Sequence, residues 1–166
     1  MKIHLLSTGG TIEKIYSEQT GQVENLETKI NRYLRLLRLP DTEVEAEHLM
    51  NKDSLEMTDE DRALVFETVK LRLADGAPIV ITHGTDTVVE TGLYLKKRLE
   101  DLRVPIVFTG AMTPLGFERS DGLQNLTESL LAAKILSPGI WLVMHGQVFP
   151  IDRVRKDRDL AQFVAV

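Results

Sequence analysis

The stretch ITHGTDTVVETGLYL, residues 81–95, changes its period half-way along. Its first residues close the apolar run PIVIT (78–82), short and rich in β-branched residues, which reads as a strand covered on both faces. Its second half places Val88 and Leu95 on a stripe that continues to Leu99 and Leu102, which predicts a helix. Between the two, HGTDT sets a histidine, two threonines and an aspartate on the corner where strand becomes helix. Polar groups gathered on such a corner cost stability unless something uses them.

The same strand-then-helix pattern recurs along the chain. KIHLLS (2–7), EVEAEHL (43–49), VPIVFT (104–109) and GIWLVM (139–144) supply four further strands. Leu26, Ile30, Leu34 and Leu37 predict one intervening helix, and Val65, Val69 and Leu73 another. That second helix starts at the capping pair Thr58 and Asp61 and stops at Gly76. Leu123, Leu126, Leu130 and Ala133 mark the helix after the fourth strand. Strands and helices alternating at these lengths predict right-handed βαβ units. The expected fold class is therefore α/β: a three-layer, doubly wound, mainly parallel sheet of five strands, flavodoxin-like or Rossmann-like.

The 166 residues suit a single domain, 1–166, with 43% hydrophobic and 27% charged residues. A net charge of −5 argues against nucleic acid or an anionic membrane as partner. No cysteine is present, so there is no disulfide framework and no thiol nucleophile, and a cytoplasmic setting is the default. The start, MKIHLLSTGGT, is too short in apolar residues for a signal peptide, and no later run spans a membrane.

In doubly wound sheets, ligands bind beyond the carboxyl ends of the strands. Here the strands run into TGGTIEK, HGTDT, GAMTP and HGQ, so four segments bring glycine, threonine and other polar residues to one edge. Gly9, Gly10, Gly84 and Gly110 can be explained by turns alone. The alternative, a phosphate cradle, fits poorly, because TGGTIEK has neither the Walker glycine–lysine pair nor the three-glycine dinucleotide spacing. Thr85 or Asp86 can be explained as a cap of a helix over 87–101. Thr11 and Thr85, both flanked by glycine at helix starts, also have the makings of acyl transfer: a hydroxyl nucleophile beside N–H donors for an oxyanion. The base is open. His83 reads as structural and His145 lies at a strand end, while Lys14, Lys52 and Lys156 are each within reach of the edge. The histidines at 4, 48, 83 and 145 show no zinc spacing, so neither metal nor cofactor is expected. The run 153–158, RVRKDR, reads as solvated surface.

STGGTIEK and ITHGTDTVVETG resemble the two signatures of the bacterial-type L-asparaginases, in the family's order. VFTGAMTP, SDGLQNL and DSLEM are similar to further family segments, so the resemblance runs from residue 3 to about 160. It implies an amidohydrolase that converts L-asparagine to L-aspartate and ammonia, using a threonine nucleophile. Thr11 would be the leading candidate nucleophile, Thr85, Asp86 and Lys156 would form the second half of the catalytic site, and Tyr16 would polarise Thr11. Gly10, Asp53, Ser54, Gly84, Thr85, Asp86 and Ala111 would bind substrate, Asp86 pairing with its ammonium. The resemblance singles out Lys156 among the three lysines. Leu55 departs from the polar residue many members carry beside the serine. Members are about twice as long, and an acidic residue from a second domain of a neighbouring subunit completes their site; that domain is expected to be absent here and the chain to form a homo-oligomer. Two rival readings stay open: a non-catalytic amino-acid-binding domain, and a glutamine-hydrolysing subunit serving a tRNA-linked amidotransferase.

Overall fold

Alternation along the strands decides how this sheet is covered. The computed structural model describes residues 1–166. In β5 (Ile79–Thr82), Ile79 and Ile81 point into one apolar cluster and Val80 into the other. In β6 (Pro105–Thr109), Ile106 and Phe108 join the first cluster and Val107 the second. In β1 (Lys2–Gly9), Leu6 and Leu5 divide the same way. Helices α2 (Asp59–Arg72) and α3 (Val88–Lys96) cover the first face with Val65, Val69, Val88 and Leu95. The second face takes Ile30 from α1 (Ile30–Leu34) and Leu126, Leu130 and Ala133 from α4 (Gly122–Ile135). The result is the expected three-layer sandwich, in which the inner strands β1, β5 and β6 bury both faces.

The sheet order is β4 (Glu43–Lys52), β1, β5, β6, β7 (Gly139–Met144), β8 (Gln147–Pro150). The first five are parallel, with the flavodoxin-like order, and β8 joins antiparallel to β7. The sheet thus has six strands, not five. The sixth arises because His145 and Gly146, at φ 53° and 72°, form a two-residue hairpin turn whose left-handed conformation suits the strand twist. Two short ladders stand apart, β2 (Ile15–Tyr16) with β3 (Val23–Glu24) and β9 (Val154–Asp157) with β10 (Gln162–Ala165).

The capping box on α2 forms as read, Thr58 and Asp61 exchanging side-chain bonds with each other's N–H. The first helix is far shorter than its leucine stripe suggests. Leu26 is exposed, because Glu13 takes hydrogen bonds from Thr28 and the Lys29 N–H and turns the chain there. No helix is long and apolar enough to cross a membrane.

Candidate active site

Between β1 and β5 the chain leaves the sheet in opposite senses, and in this topology that switch point opens a crevice at the strands' carboxyl ends. Thr11 follows β1 and Thr85 follows β5, so the two threonines found in sequence border the same crevice. Their loops touch. Gly10, at φ 75°, lies so close to Gly84 that a methyl group on it would overlap the Gly84 backbone. A methyl on Gly84 would in turn overlap the Ser54 side chain. Glycine at both positions is what lets three loops pack backbone to backbone.

Thr85 and Asp86 do not cap a helix. The N-cap of α3 is Thr87, whose hydroxyl bonds the Ser54 carbonyl at 2.8 Å instead of a helix N–H. Thr85 and Asp86 face Lys156 of β9. Its Nζ donates to Thr85 Oγ1 at 2.7 Å and to Asp86 Oδ1 at 3.0 Å. The β9–β10 hairpin is docked on the sheet through Ile151, Val154 and Phe163, all buried in the first apolar cluster. Packing of apolar residues on either side thus brings the amine back over some 70 residues of chain. Arg158, in the turn just past β9, also reaches this group, and its Nη2 lies 3.0 Å from the same Asp86 oxygen.

Ser54 stands beside this group in a short turn after β4, started by Asp53 accepting the Leu55 N–H at 3.0 Å. The Ser54 hydroxyl is buried and has no hydrogen-bond partner. Such a group is costly unless something entering the crevice satisfies it. Asp53 pairs with Lys14 at 2.6 Å. Burial pushes the Asp53 carboxyl up, but bonds from Lys14 and the Leu55 N–H, with the nearby charge of Lys156, hold it below its ordinary value. Ala111 is fully buried just beyond Gly110, whose backbone abuts His83 and the Thr85 methyl. Lys52 is taken by Asp61 at 2.8 Å and does not join the group.

His83 is structural. Its Nδ1 meets the Gly84 carbonyl at 2.8 Å and its Nε2 the Thr91 hydroxyl at 2.8 Å. Complete burial lowers its pKa to about 4, so it is neutral. His145 contacts Asp121 at 2.7 Å, and Asp121 accepts the Met112 and Thr113 N–H groups, bracing the GAMTP loop. Tyr16 is the one sequence candidate set apart. It is 58% exposed, on the β2–β3 hairpin, beside a cleft of about 470 Å³ that it shares with Lys29, Tyr33 and Phe117.

Two residues were missed by sequence reasoning. Arg158 sat unnoticed in a basic run, and lying in the turn past β9 it gave no strand-periodicity signal. Glu13 is fully buried and accepts bonds from Ser7 at 2.8 Å, Thr28 at 3.1 Å and the Lys29 N–H at 2.8 Å. It closes the base of the segment that carries Tyr16. No local pattern announces a buried acid.

Chemically, the crevice offers a hydroxyl in contact with an amine, a second hydroxyl one residue beyond the Gly10–Gly84 contact, and an unsatisfied serine donor. These are parts for nucleophilic attack assisted by proton transfer. No cluster of three or more histidine, cysteine or acidic residues suited to a metal is present.

Residues 2–161 match the family model described as asparaginase, N-terminal. The L-asparaginase of Thermococcus kodakarensis is 30% identical over 160 residues, 96% of this chain and 49% of that protein. L-asparaginase 1 of Escherichia coli strain K12 is 36% identical over 137 residues, covering 79% and 40%. A component of the glutamyl-tRNA(Gln) amidotransferase of Methanococcus vannielii is 32% identical over 148 residues, covering 88% and 34%. The solved structure of the Thermococcus kodakarensis thermostable L-asparaginase superposes with a TM-score of 0.90, covering 100% of this chain and 51% of that one. The chain spans about half the length of the curated relatives it matches.

Proposed function

This chain belongs to the asparaginase N-terminal family, and from that premise we propose that residues 1–166 form one catalytic domain that hydrolyses the side-chain amide of L-asparagine to L-aspartate and ammonia. One observation carries the reading: Lys156 Nζ bridges Thr85 Oγ1 and Asp86 Oδ1 at 2.7 and 3.0 Å.

In this reading a threonine oxygen attacks the amide carbon and the C–N bond breaks. Ammonia leaves, and water then cleaves the ester to release the acid and restore the hydroxyl. The 2.7 Å contact serves proton transfer in either direction: the ammonium donates to Thr85, and once it has lost a proton the amine takes the Thr85 proton. Asp86 orients the amine and anchors substrate. Thr11, with an unpaired neighbour in Ser54 across the Gly10–Gly84 contact, stands beside Thr85 as the leading nucleophile candidate. Backbone N–H groups near Gly10, Gly84 and Ala111 line the oxyanion side. Tyr16 serves only if its hairpin swings inward from its exposed position. A homo-oligomer, in which a neighbouring copy covers the open crevice and excludes water, completes the proposal.

The test is ammonia release from asparagine by the wild type and by Thr11→Ala, Thr85→Ala and Lys156→Met. Full activity in all three variants removes the mechanism. Calorimetry that finds asparagine bound but not turned over supports a binding domain instead.

A further inference from the structure

Thr11 is preceded by a glycine whose freedom has to be taken away. Gly10 lies at φ 75° and ψ −174°, a conformation that glycine alone holds without strain. With no side chain to hinder it, the peptide after Gly10 could flip at little cost, yet the residue is pinned at both its polar groups. Its N–H donates to the Lys52 carbonyl at 2.8 Å. Its carbonyl accepts the Glu13 N–H at 3.2 Å and Asn25 Nδ2 at 2.9 Å.

Of these partners, Asn25 is the one that reaches Gly10 through a side chain, from the segment that follows β3. A carbonyl only accepts, so the Asn25 amide turns its nitrogen to Gly10, and the same nitrogen donates to Asn51 Oδ1 at 2.9 Å. That bond commits the Asn51 amide in turn and leaves Asn51 Nδ2 buried without a partner. An unpaired buried donor is costly, and what this one secures is a fixed Gly10 carbonyl.

The Gly10–Thr11 peptide is trans, so the Thr11 N–H lies on the edge opposite that carbonyl. Among the turn and loop bonds of the backbone, it donates to none. Two donors on the carbonyl polarise the peptide and strengthen the N–H as a donor. A donor fixed in place beforehand is what a developing oxyanion needs.

We propose that Asn25 is a positioning residue: through the Gly10 carbonyl it orients and polarises the Thr11 N–H towards the oxygen of the amide being cleaved. The inference rests on the amidohydrolase reading for its chemistry. As the threonine oxygen bonds the amide carbon, the carbonyl π pair moves onto oxygen, where the Thr11 N–H meets it. Return of that pair breaks the C–N bond, and the nitrogen leaves as ammonia with the threonine proton relayed by Lys156.

The experiment measures asparagine hydrolysis by the wild type, Asn25→Asp, Asn25→Ala and, as a neighbour in the same segment, Glu24→Gln. In parallel, NMR follows the Thr11 N–H as L-aspartate is added to the wild type and to Asn25→Asp. Asn25→Asp keeps the shape of the side chain but loses its donor, so a role in packing alone would survive it. Both Asn25 variants are expected to lower kcat about 10–100-fold, less than outright loss of an oxyanion donor, with KM within about threefold. Glu24→Gln should keep both constants within about twofold. The wild-type Thr11 N–H resonance should move downfield as the product's side-chain carboxylate fills the oxyanion position, and Asn25→Asp should lose that movement. Unchanged kcat in both Asn25 variants, an effect on KM alone, or a loss confined to Asn25→Ala overturns the inference. If the wild type releases no ammonia, the amidohydrolase reading fails and the NMR titration alone decides. A Thr11 shift lost in Asn25→Asp then upholds the role of Asn25, and no shift, or an equal one, ends it.

Discussion

The two ends of the sheet both carry charged clusters, and the clusters are built on opposite plans. At the amino end of β1, His4 is buried with Nε2 2.8 Å from Asp75 and Nδ1 3.2 Å from Glu45. Lys2 reaches Glu45 and Asp75 as well, at 3.0 and 2.9 Å. Bonds from Lys2, His4 and the Ala77 N–H hold the Asp75 carboxyl well below the usual carboxylate range. Each of these groups has a partner. At the carboxyl end, the Ser54 hydroxyl has none, and Asp86 carries two cations on one oxygen. A saturated network can only hold the fold together; an unsatisfied one has capacity left for a ligand.

The sharpest way to break this contrast is to remove the amine. Lys156→Met is expected to lower ammonia release from the preferred amide about 10²–10⁴-fold, the usual worth of a general acid–base, with a stability change under about 1 kcal/mol. Comparable losses of activity and stability would place Lys156 with the structural cluster. Next come the glycines that bring the loops together. Gly10→Ala adds both a left-handed strain and an overlap with Gly84, and should cost about 2–4 kcal/mol in denaturant unfolding. A neutral result would mean that the loops are not in contact.

A smaller effect separates the buried histidine beneath the crevice from the rest. His83 titrates at about 4 when folded and at its ordinary 6.5 when unfolded. Below 6.5 the unfolded chain therefore binds more protons, so stability is complete above that pH and falls as pH drops toward 4. Between about pH 6.5 and pH 5 the loss should be about 2 kcal/mol, absent in His83→Asn, as urea unfolding at stepped pH would reveal. A flat wild-type profile would refute it. Least of all, His4→Gln at the opposite end should cost about 1 kcal/mol, a shift of about 2–4 °C in melting temperature, with activity unchanged. Loss of activity there would erase the distinction between the two ends.

Much of the architecture was legible because burial writes directly into sequence. PIVIT and VPIVFT leave no polar residue in the middle of their strands, and the Thr58–Asp61 box names the start of α2. The threonine-bearing rim was legible too, since strand ends and glycines locate it. The partner of Thr85 was not legible in composition or spacing; the family resemblance alone singled out Lys156. Lys156 lies in a charge run that looks solvated, and only the fold of the β9–β10 hairpin, set by distant apolar contacts, turns it inward. The sixth strand was missed because His145–Gly146 was read as part of the rim, when two successive left-handed residues signal a hairpin. The first helix was overread for a similar reason. A leucine stripe is local, whereas the pull of buried Glu13 on Thr28 and Lys29 comes from another part of the chain.

The hairpin that bears Lys156 stands outside the main sheet and follows that sheet's strands in the chain. A ribosome, working from amino to carboxyl end, therefore completes the threonine-bearing rim before it adds Lys156. Until that ribbon emerges and settles, Thr85 and Asp86 lack the amine that contacts them in the finished fold.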